Sequence, residues 1–353
     1  MKNEEIKDSL KGLTIKELQQ LFKGLGEPIY RGEQVFNWMY NHLSTDFDEM
    51  LNLSKPLREK LASQYSLQTL KLITVQNSPN TDTKKYLFST YDGHKIESVV
   101  IPDGKRNTLC ISTQVGCPLD CKFCATGLMG YTRNLTAGEI VDQYLLAAKD
   151  YGKEKITNMV YMGMGEPLLN FETTLKTLSI FTSEVNKSLS RNRITVSTAG
   201  IAPKIKELAD SGLRVKLALS LHSCFDDVRT KLMPINKKYP LKENIEALRY
   251  YSKVTKSPIV FEYTMFNGIN DREEDIKALT KLCSQLSSKI NIIPFNSIAH
   301  MNPGGISEQL TPTPLDKIQE FANKLREHNI TVMLRKTQGD DIAAACGQLA
   351  IKN

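Results

Sequence analysis

The strict alternation of strand-like and helix-like segments after residue 108 is the feature that most restricts how this chain can fold. Each strand-like segment is short and β-rich, and each is followed by a segment with helical periodicity. Six such pairs in order predict parallel strands joined by right-handed crossovers, with the helices outside the sheet. A doubly wound sheet and a barrel both satisfy this pattern. The six strand segments are TLCISTQ, ITNMVYM, RITVST, RVKLALSL, PIVFEYTMF and KINIIPF.

Polar residues cluster directly after most of these strands. A cysteine-rich loop follows the first strand and GMGEP follows the second, while STAG, SLHS and FNS come at the ends of the third, fourth and sixth. The carboxyl ends of parallel strands meet at one edge of the sheet, where α/β folds carry their chemistry. We therefore expect these five loops to converge on one site.

The rest of the chain predicts smaller units around this α/β core. Residues 1–68 contain helical segments, and KGLGEPIYRGEQV resembles a turn between two helices, a shape that often holds nucleic-acid backbone; a simple helical cap is the alternative. Residues 69–102 contain alternating runs that predict a small antiparallel β extension. We divide the chain into an N-terminal helical domain (1–68), the β extension (69–102), the core (103–341) and a C-terminal segment (342–353).

Composition restricts the cellular setting. No run of about 18 apolar residues occurs, and the N-terminus lacks the apolar stretch of a signal peptide, so we expect a cytoplasmic protein. Thiols stay reduced there, and the seven cysteines are better evidence for metal or redox chemistry than for disulfides. The net charge of +7 is a modest bias toward a polyanionic partner and does not by itself indicate nucleic acid.

The loop STQVGCPLDCKFCATG places Cys117, Cys121 and Cys124 within eight positions. A structural zinc site needs four ligands, commonly as two C-x-x-C pairs, and no second pair exists here. Zinc would require Cys110 or a distant cysteine as its fourth ligand. Three soft thiolates instead suit an iron–sulfur cluster that keeps one iron open for a small molecule.

The spacing C-x3-C-x2-C after the first strand resembles the radical S-adenosylmethionine (radical SAM) superfamily, and GMGEP resembles its methionine-binding segment. The resemblance implies a partial (βα)6 TIM-type barrel as the core. It narrows to the RlmN/Cfr family of RNA adenosine methyltransferases and covers residues 10–350. The motifs that carry it are Cys110, GMGEPLLN, STAG, SLH, PINKKYPL, EY-x-M-x-x-G-x-ND, IPFN and RKTQGDDIAAACGQL.

The resemblance also implies roles for individual residues. Cys346 accepts a methyl group and carries it, Cys110 is the resolving thiol, and Glu97 in KIESVV is the general base. Cys117, Cys121 and Cys124 hold a 4Fe–4S cluster. S-adenosylmethionine, two per turnover, is bound by Gly165, Glu166, Ser197, Ser220, Leu221, His222 and Asn296. Seen alone, Cys110 and Cys346 are ordinary packing residues, and His222 is an ordinary core histidine.

The implied reaction explains why radical chemistry is required. Adenine C2 carries an unactivated C–H bond, so a 5'-deoxyadenosyl radical is needed to activate the methyl group on Cys346 for addition to C2. The implied partners are 23S rRNA in the peptidyl transferase region, tRNA beside the anticodon, and a reducing electron donor such as flavodoxin. We expect a monomer without membrane association. The basic residues expected near the strand ends could contact phosphates: Lys122, Arg133, Arg335 and Lys336.

Two alternatives remain open at this point. GEPLLN and NIIPFN resemble the RlmN branch, which methylates C2, but the same scaffold in the Cfr branch methylates C8 of the same rRNA adenosine. A zinc-dependent nucleic-acid-binding protein without catalysis is the alternative from another class.

Overall fold

The computed structural model describes residues 7–186 and 189–351. In the N-terminal region, two helices are joined by the turn predicted at KGLGEPIYRGEQV, and a third helix follows. The first helix begins with a capping box in which Thr14 and Glu17 satisfy each other's backbone N–H groups. The elements are β1 (Asp8–Ser9), α1 (Ile15–Gly24), α2 (Tyr30–Tyr40), α3 (Lys55–Gln64) and β2 (Tyr65–Ser66).

The predicted β extension forms three antiparallel strands: β3 (Leu70–Asn77), β4 (Lys84–Thr90) and β5 (Lys95–Asp103). Strand β5 also pairs antiparallel with the first strand of the core, with Val99 opposite Cys110. The extension is therefore continuous with the main sheet, and it brings Glu97 to the edge of the core.

The core alternates strands and helices as the sequence predicts. Its strands are β6 (Arg106–Cys110), β7 (Gln114–Gly116), β8 (Tyr131–Asn134), β9 (Asn158–Tyr161), β10 (Ile194–Thr198), β11 (Lys216–Ser220), β12 (Ile259–Met265), β13 (Ser288–Pro294) and β14 (Val332–Leu334). Its helices are α4 (Ala125–Leu128), α5 (Ala137–Tyr151), α6 (Phe171–Phe181), α7 (Ala202–Asp210), α8 (Asp226–Leu232), α9 (Leu241–Thr255), α10 (Glu273–Gln285), α11 (Ile306–Gln309) and α12 (Leu315–Glu327).

Within the described residues, ten strands form one sheet in the order β14-β13-β12-β11-β10-β9-β6-β5-β4-β3. The seven from β6 to β14 run parallel. The sequence predicted six of them. It missed β14, because three residues before a loop give too short a pattern to indicate a strand.

The parallel part of the sheet curls into a partial barrel. Six strand spacings separate β6 from β14, which is about 29 Å in a flat sheet. Arg335, directly after β14, nevertheless lies close enough to Cys110 at the end of β6 to affect the pKa of its thiol. The strand ends therefore surround a common space, which we call the mouth. The predicted fold class is confirmed.

A buried ion pair fixes the N-terminal region to the core. Lys11 Nζ donates to Asp142 Oδ1 of α5 at 2.8 Å, and each side chain is 1% exposed. The other carboxylate oxygen of Asp142 accepts from the backbone N–H and the hydroxyl of Thr69, both at 2.7 Å. Gly12 lies so close to α5 that a Cβ atom would stand 2.3 Å from the Gly138 nitrogen. The two regions therefore pack as one unit.

No helix in the described part of the chain is both long enough and apolar enough to cross a bilayer.

Candidate active site

The cysteine loop is held in place from three directions. The Cys117 N–H donates to the Gly130 carbonyl at 2.8 Å, inside the hairpin formed by β7 and β8. The Lys122 N–H donates to the Leu232 carbonyl of α8 at 2.9 Å. The Ala125 N–H donates to the Gly347 carbonyl at 2.7 Å, which ties the loop to the C-terminal segment. The loop lies at the mouth, as the sequence predicted.

The three thiols of this loop are half-buried and influence one another electrostatically. Burial raises the pKa of Cys117 to about 12, and burial together with Cys124 and Cys117 raises the pKa of Cys121 well above its usual value. Thiolates are the metal-binding form of cysteine, so this environment requires a compensating positive charge. A bound metal centre supplies such a charge.

The GMGEP loop packs flush against the residues that follow β6. The Met164 N–H donates to the Ser112 hydroxyl at 2.8 Å, and the Met164 carbonyl accepts from the Thr113 N–H at 2.8 Å. Gly165 has φ of +97°, and a Cβ atom there would lie 2.5 Å from Gln114 Cβ. Only glycine fits this position, and it lets the backbone form the floor of the mouth.

Glu166 joins this loop to the end of β10. Its two carboxylate oxygens accept from the Leu168 N–H at 3.0 Å and the Ala199 N–H at 2.7 Å. Its own N–H donates to Gln114 Oε1 at 2.8 Å. Burial raises the pKa of Glu166 to about 7, although the hydrogen bonds from the Ala199 and Leu168 N–H groups favour the ionised form and oppose the rise. The carboxylate therefore already has two backbone partners in addition to any ligand.

His222 is buried with φ of +53°, at the turn after β11. Its Nδ1 accepts from the Thr264 N–H at 3.0 Å, so the neutral ring carries its proton on Nε2. Burial, together with nearby Arg229, lowers the pKa of His222 to about 3. The ring packs edge-on against Phe123 of the cysteine loop, with 4.5 Å between centroids. His222 is thus a neutral side chain that supports the cysteine loop.

The other predicted cofactor-binding residues lie around the same space. Ser197 of β10 is buried, Ser220 of β11 lies opposite Glu262, and Leu221 is fully buried. Asn296 contacts the C-terminal segment: its Nδ2 donates to the Cys346 carbonyl at 3.1 Å, and its Oδ1 accepts from the Thr337 hydroxyl at 3.1 Å.

Cys110 and Cys346 are close in space although they lie far apart in the sequence. Cys346 is accessible to solvent, yet enough protein surrounds it that burial, with Glu262 and Cys124, raises the pKa of its thiol to about 12. A side chain that faces a cavity inside the protein is both accessible to solvent and surrounded by protein atoms. Cys110 is buried, and burial followed by the electrostatic effect of Cys346 raises its pKa to about 12. Arg335 opposes the shift at both thiols.

Glu97 lies on the same face of the sheet as Cys110. Its carboxylate forms an ion pair with Lys85 at 3.2 Å and accepts from the Ala350 N–H at 3.1 Å. Burial raises the pKa of Glu97, and Lys85 and the Ala350 N–H oppose the rise. Glu97 therefore anchors the segment that carries Cys346.

Sequence reasoning missed Arg229 of α8. This side chain is fully buried, and its four hydrogen bonds go to uncharged oxygens: Leu221 O at 3.1 Å, Asn236 Oδ1 at 2.6 Å, Ala199 O at 2.6 Å and Ser220 O at 2.9 Å. It joins the ends of β10 and β11 beside the cysteine loop. A charged residue in an exposed-looking helix such as DDVRTKL gives no signal of burial.

Glu262 of β12 was also missed. It is buried, and its Oε1 accepts from Asn291 Nδ2 of β13 at 2.8 Å. Burial raises the pKa of Glu262, while Arg335 and Asn291 oppose the rise. The signal that could have identified it is a carboxylate and an amide inside the otherwise apolar runs IVFEYTM and KINIIP.

Comparison with known proteins identifies the family. A signature described as the radical SAM superfamily matches residues 111–280, and one described as the ribosomal RNA large subunit methyltransferase N-terminal domain matches residues 9–67. The probable dual-specificity RNA methyltransferase RlmN of Chloroherpeton thalassium is 42% identical, over 99% of this chain and 95% of its own length. The chain belongs to the RlmN family.

Two further comparisons agree with membership of the RlmN family. The dual-specificity RNA methyltransferase RlmN of Pelobacter propionicus is 42% identical over 97% of this chain and 96% of its own length. The crystal structure of a radical SAM methyltransferase from Sphaerobacter thermophilus superposes with a TM-score of 0.90 at 40% identity, over 97% of this chain and 99% of that one. The resemblance predicted from the sequence is confirmed.

Membership of the radical SAM superfamily implies a 4Fe–4S cluster and S-adenosylmethionine. In the described ranges, no three His, Cys, Asp or Glu side chains converge closely enough to surround a single metal ion. A 4Fe–4S cluster makes no such demand, because each thiolate binds a different iron atom. Three thiols on one loop, with apolar Phe266, Phe295 and Leu310 packed nearby, fit this group.

Proposed function

We propose that this protein methylates C2 of a specific adenosine in 23S rRNA, in the peptidyl transferase region, and of an adenosine beside the anticodon of some tRNAs. Cys346 carries the methyl group as S-methylcysteine. The observation that best supports this proposal is the meeting of Cys110, Cys346 and Glu97 at one mouth, although they come from β6, the C-terminal segment and β5.

Cys117, Cys121 and Cys124 hold the cluster. When bound, the cluster supplies the electron that cleaves S-adenosylmethionine reductively. Gly165 brings the backbone of its loop to the floor of the mouth, where its carbonyl groups can accept from the methionine ammonium. Ser197, Ser220, Leu221, His222 and Asn296 complete the cofactor-binding surface. Two molecules of S-adenosylmethionine are consumed per turnover, one to methylate Cys346 and one to activate that methyl group.

Cys346 has the access that a methyl carrier requires. Its side chain is open to the mouth, while the Asn296 amide and the Gly347 carbonyl hold the adjacent backbone. A thiol with a raised pKa must lose its proton before its sulfur attacks a methyl group. Arg335 stabilises the anion that results.

Cys110 and Glu97 then act on the adduct that links Cys346 to C2. Glu97, whose pKa is raised by burial, accepts the proton that leaves C2. The adduct also gives up one electron, which the cluster would take back. Cys110 attacks the sulfur of Cys346 as a thiolate, and the S–C bond breaks with its electron pair passing to the methylene carbon. That carbon takes up a proton to become the methyl group, and the product leaves as a Cys110–Cys346 disulfide forms. Thiol exchange requires only that the two sulfur atoms meet, which their shared surroundings support.

Nucleoside mass spectrometry tests the reaction directly. RNA from a host that lacks this methylation should gain 2-methyladenosine when the protein is expressed. Formation of 8-methyladenosine would instead support the Cfr-like alternative. A colourless protein that contains zinc and no iron after anaerobic purification would support the non-catalytic alternative.

Variants of the two thiols test the carrier mechanism. Cys346→Ala should retain the cluster and lose methylation, and Cys110→Ala should accumulate a covalent protein–RNA adduct. Cys224→Ala is the control, because Cys224 lies outside the mouth and should leave both measurements unchanged. Turnover by the Cys346 variant, or normal product release by the Cys110 variant, would contradict the corresponding role.

A further inference from the structure

Two exposed tyrosines stand on the rim of the mouth. The side chain of Tyr91 is 63% exposed and that of Tyr131 is 47% exposed. Single exposed aromatic residues are common on protein surfaces and need no explanation. These two differ because Arg133, on the same strand as Tyr131, contacts the ring of Tyr91 and binds the neighbouring Asp92. We call them the rim pair.

The strand register places both tyrosines at the mouth. Val99 of β5 lies opposite Cys110, so the residues that precede Val99 extend past the end of β6, and the turn between β4 and β5 projects beyond it. Tyr91 lies in that turn. Tyr131 lies opposite Gly116, the residue before Cys117. Both tyrosines therefore lie on segments at the carboxyl ends of the core strands.

Arg133 braces the two segments. Its guanidinium donates to both carboxylate oxygens of Asp92 at 2.7 Å and to those of Glu139 at 2.8 and 2.9 Å, and it lies 5.9 Å from the centroid of the Tyr91 ring. With a further bond to the Asn134 carbonyl, all five donors are used. Arg133 therefore has no donor left for a phosphate. Its role is to fix the turn of Tyr91 against the hairpin of Tyr131.

Tyr131 is connected to the cofactor-binding loop. Its hydroxyl donates to Asn134 Oδ1 at 3.3 Å, and the same oxygen accepts from Gln114 Nε2 at 2.8 Å. Gln114 in turn accepts from the Glu166 N–H. The ring is thus exposed, while its position is set by the residues that shape the mouth.

The charged side chains named around the rim pair balance one another. The carboxylates of Asp92 and Glu139 pair with Arg133, and that of Asp120 pairs with Lys122. Lys95 is exposed, and in the ranges 7–186 and 189–351 it forms no ion pair. Asp92 and Glu139 share the single charge of Arg133 and so leave one net negative charge, which the exposed Lys95 offsets.

We propose that the rim pair is a stacking platform for unpaired RNA bases beside the target adenosine. This inference rests on the proposed RNA substrate. An adenine must leave its stack to reach a buried reaction centre, and its neighbours then lose a stacking partner. Exposed aromatic rings replace that partner without reading the base sequence. A platform that tolerates any base suits an enzyme with two different RNA substrates.

The test compares affinities for a fluorescein-labelled RNA stem–loop that contains the target adenosine unpaired. Tyr91→Ala and Tyr131→Ala should each raise the Kd about 5- to 150-fold, the range of one lost base stack. Tyr91→Phe and Tyr131→Phe should stay within about twofold of the wild type, because stacking needs the ring and not the hydroxyl. The affinity for a fully paired RNA duplex should not respond to any of these changes.

Tyr250→Ala is the matched control. Tyr250 is 39% exposed, and its hydroxyl donates to Asp210 near the carboxyl end of α7, at the end of the barrel opposite the mouth. Its replacement should leave the Kd unchanged.

Three outcomes would overturn the platform. The alanine variants could bind and methylate RNA as the wild type does, or the phenylalanine variants could lose as much affinity as the alanine variants. The alanine variants could also slow reduction of the cluster by an electron-donor protein while RNA affinity stays constant, which would assign the surface to that donor. If the wild-type protein methylates no adenosine, the proposed function fails, and the platform fails with it.

Discussion

Replacement of Arg229 by methionine tests whether the buried guanidinium stabilises the site or merely occupies it. The side chain is fully buried and donates to four uncharged oxygens, three of them backbone carbonyls at the ends of β10 and β11. Methionine has similar length and no donor. The Leu221 carbonyl keeps the Ser223 N–H as a partner, and the variant removes the donor to Ala199 O, Ser220 O and Asn236 Oδ1.

Two opposing contributions set the size of the effect. Burial lowers the pKa of Arg229 to about 10 from 12.5, which corresponds to about 3 kcal/mol of unfavourable burial that methionine relieves. Three buried acceptors that lose this donor are destabilising by about 1.5 kcal/mol each, or about 4.5 kcal/mol together. We therefore expect the variant to lose about 1.5 kcal/mol of unfolding free energy. The affinity for S-adenosylmethionine should fall as well, because Ser220 and Leu221 lose their anchor.

Urea denaturation of the metal-free protein measures the first effect, and equilibrium binding of S-adenosylmethionine to the loaded protein measures the second. Arg214→Met, at an exposed position, is the control and should change the unfolding free energy by less than about 0.5 kcal/mol. If Arg229→Met is as stable as the wild type, desolvation outweighs the hydrogen bonds, and the reasoning is refuted.

Three further predictions concern other contacts. Gly165→Ala should abolish cofactor binding. It should also lower the unfolding free energy by several times the roughly 1 kcal/mol expected for Gly212→Ala, since Gly212 has positive φ but nothing within 4 Å of the added Cβ. Equal losses in urea denaturation would contradict the steric argument. Lys11→Met should lower the unfolding free energy by about 3 kcal/mol, because the buried carboxylate of Asp142 loses its ion-pair partner. An unchanged midpoint of urea denaturation would contradict this. The pKa of Glu166 is raised from 4.5 to about 7, so its stabilising contribution is complete below pH 4.5 and lost as the pH rises through 7. Between pH 4.5 and 7, the unfolding free energy of the wild type should therefore fall by up to about 3 kcal/mol more than that of Glu166→Gln. Parallel pH profiles of the two proteins would show that the pKa of Glu166 is not raised.

The residues of the site that could be predicted are those that lie together in short segments of the sequence. Cys117, Cys121 and Cys124 share one loop, and Gly165 stands in a loop where only glycine fits, so their spacing and type are readable directly. Arg229 and Glu262 were not predictable in this way. Each is a charged residue in an element whose pattern is compatible with exposure, and only the packing of neighbouring strands shows that it is buried.

For Arg133, the sequence predicted the position of the side chain but not its binding partners. Sequence position indicated a basic residue near the mouth, and this is where it lies. Its five donors are used by Asp92, Glu139 and Asn134, of which Asp92 belongs to the β extension. Whether a surface cation is available to a phosphate depends on partners that approach from other strands, and local sequence carries no record of them.

The sequence by itself determined the order of strands and helices, the loops that carry polar residues and the family, because periodicity, turn residues and motif spacing are properties of short segments. The tertiary structure alone decided that Cys346 lies close enough to Cys110 to affect the pKa of its thiol, that Asn296 and Glu97 hold the C-terminal segment, and that Arg133 contacts the ring of Tyr91. These contacts depend on the curl of the sheet and on the continuation of its edge into the extension. Both arise from strand pairing between distant segments, which is why the local pattern cannot express them.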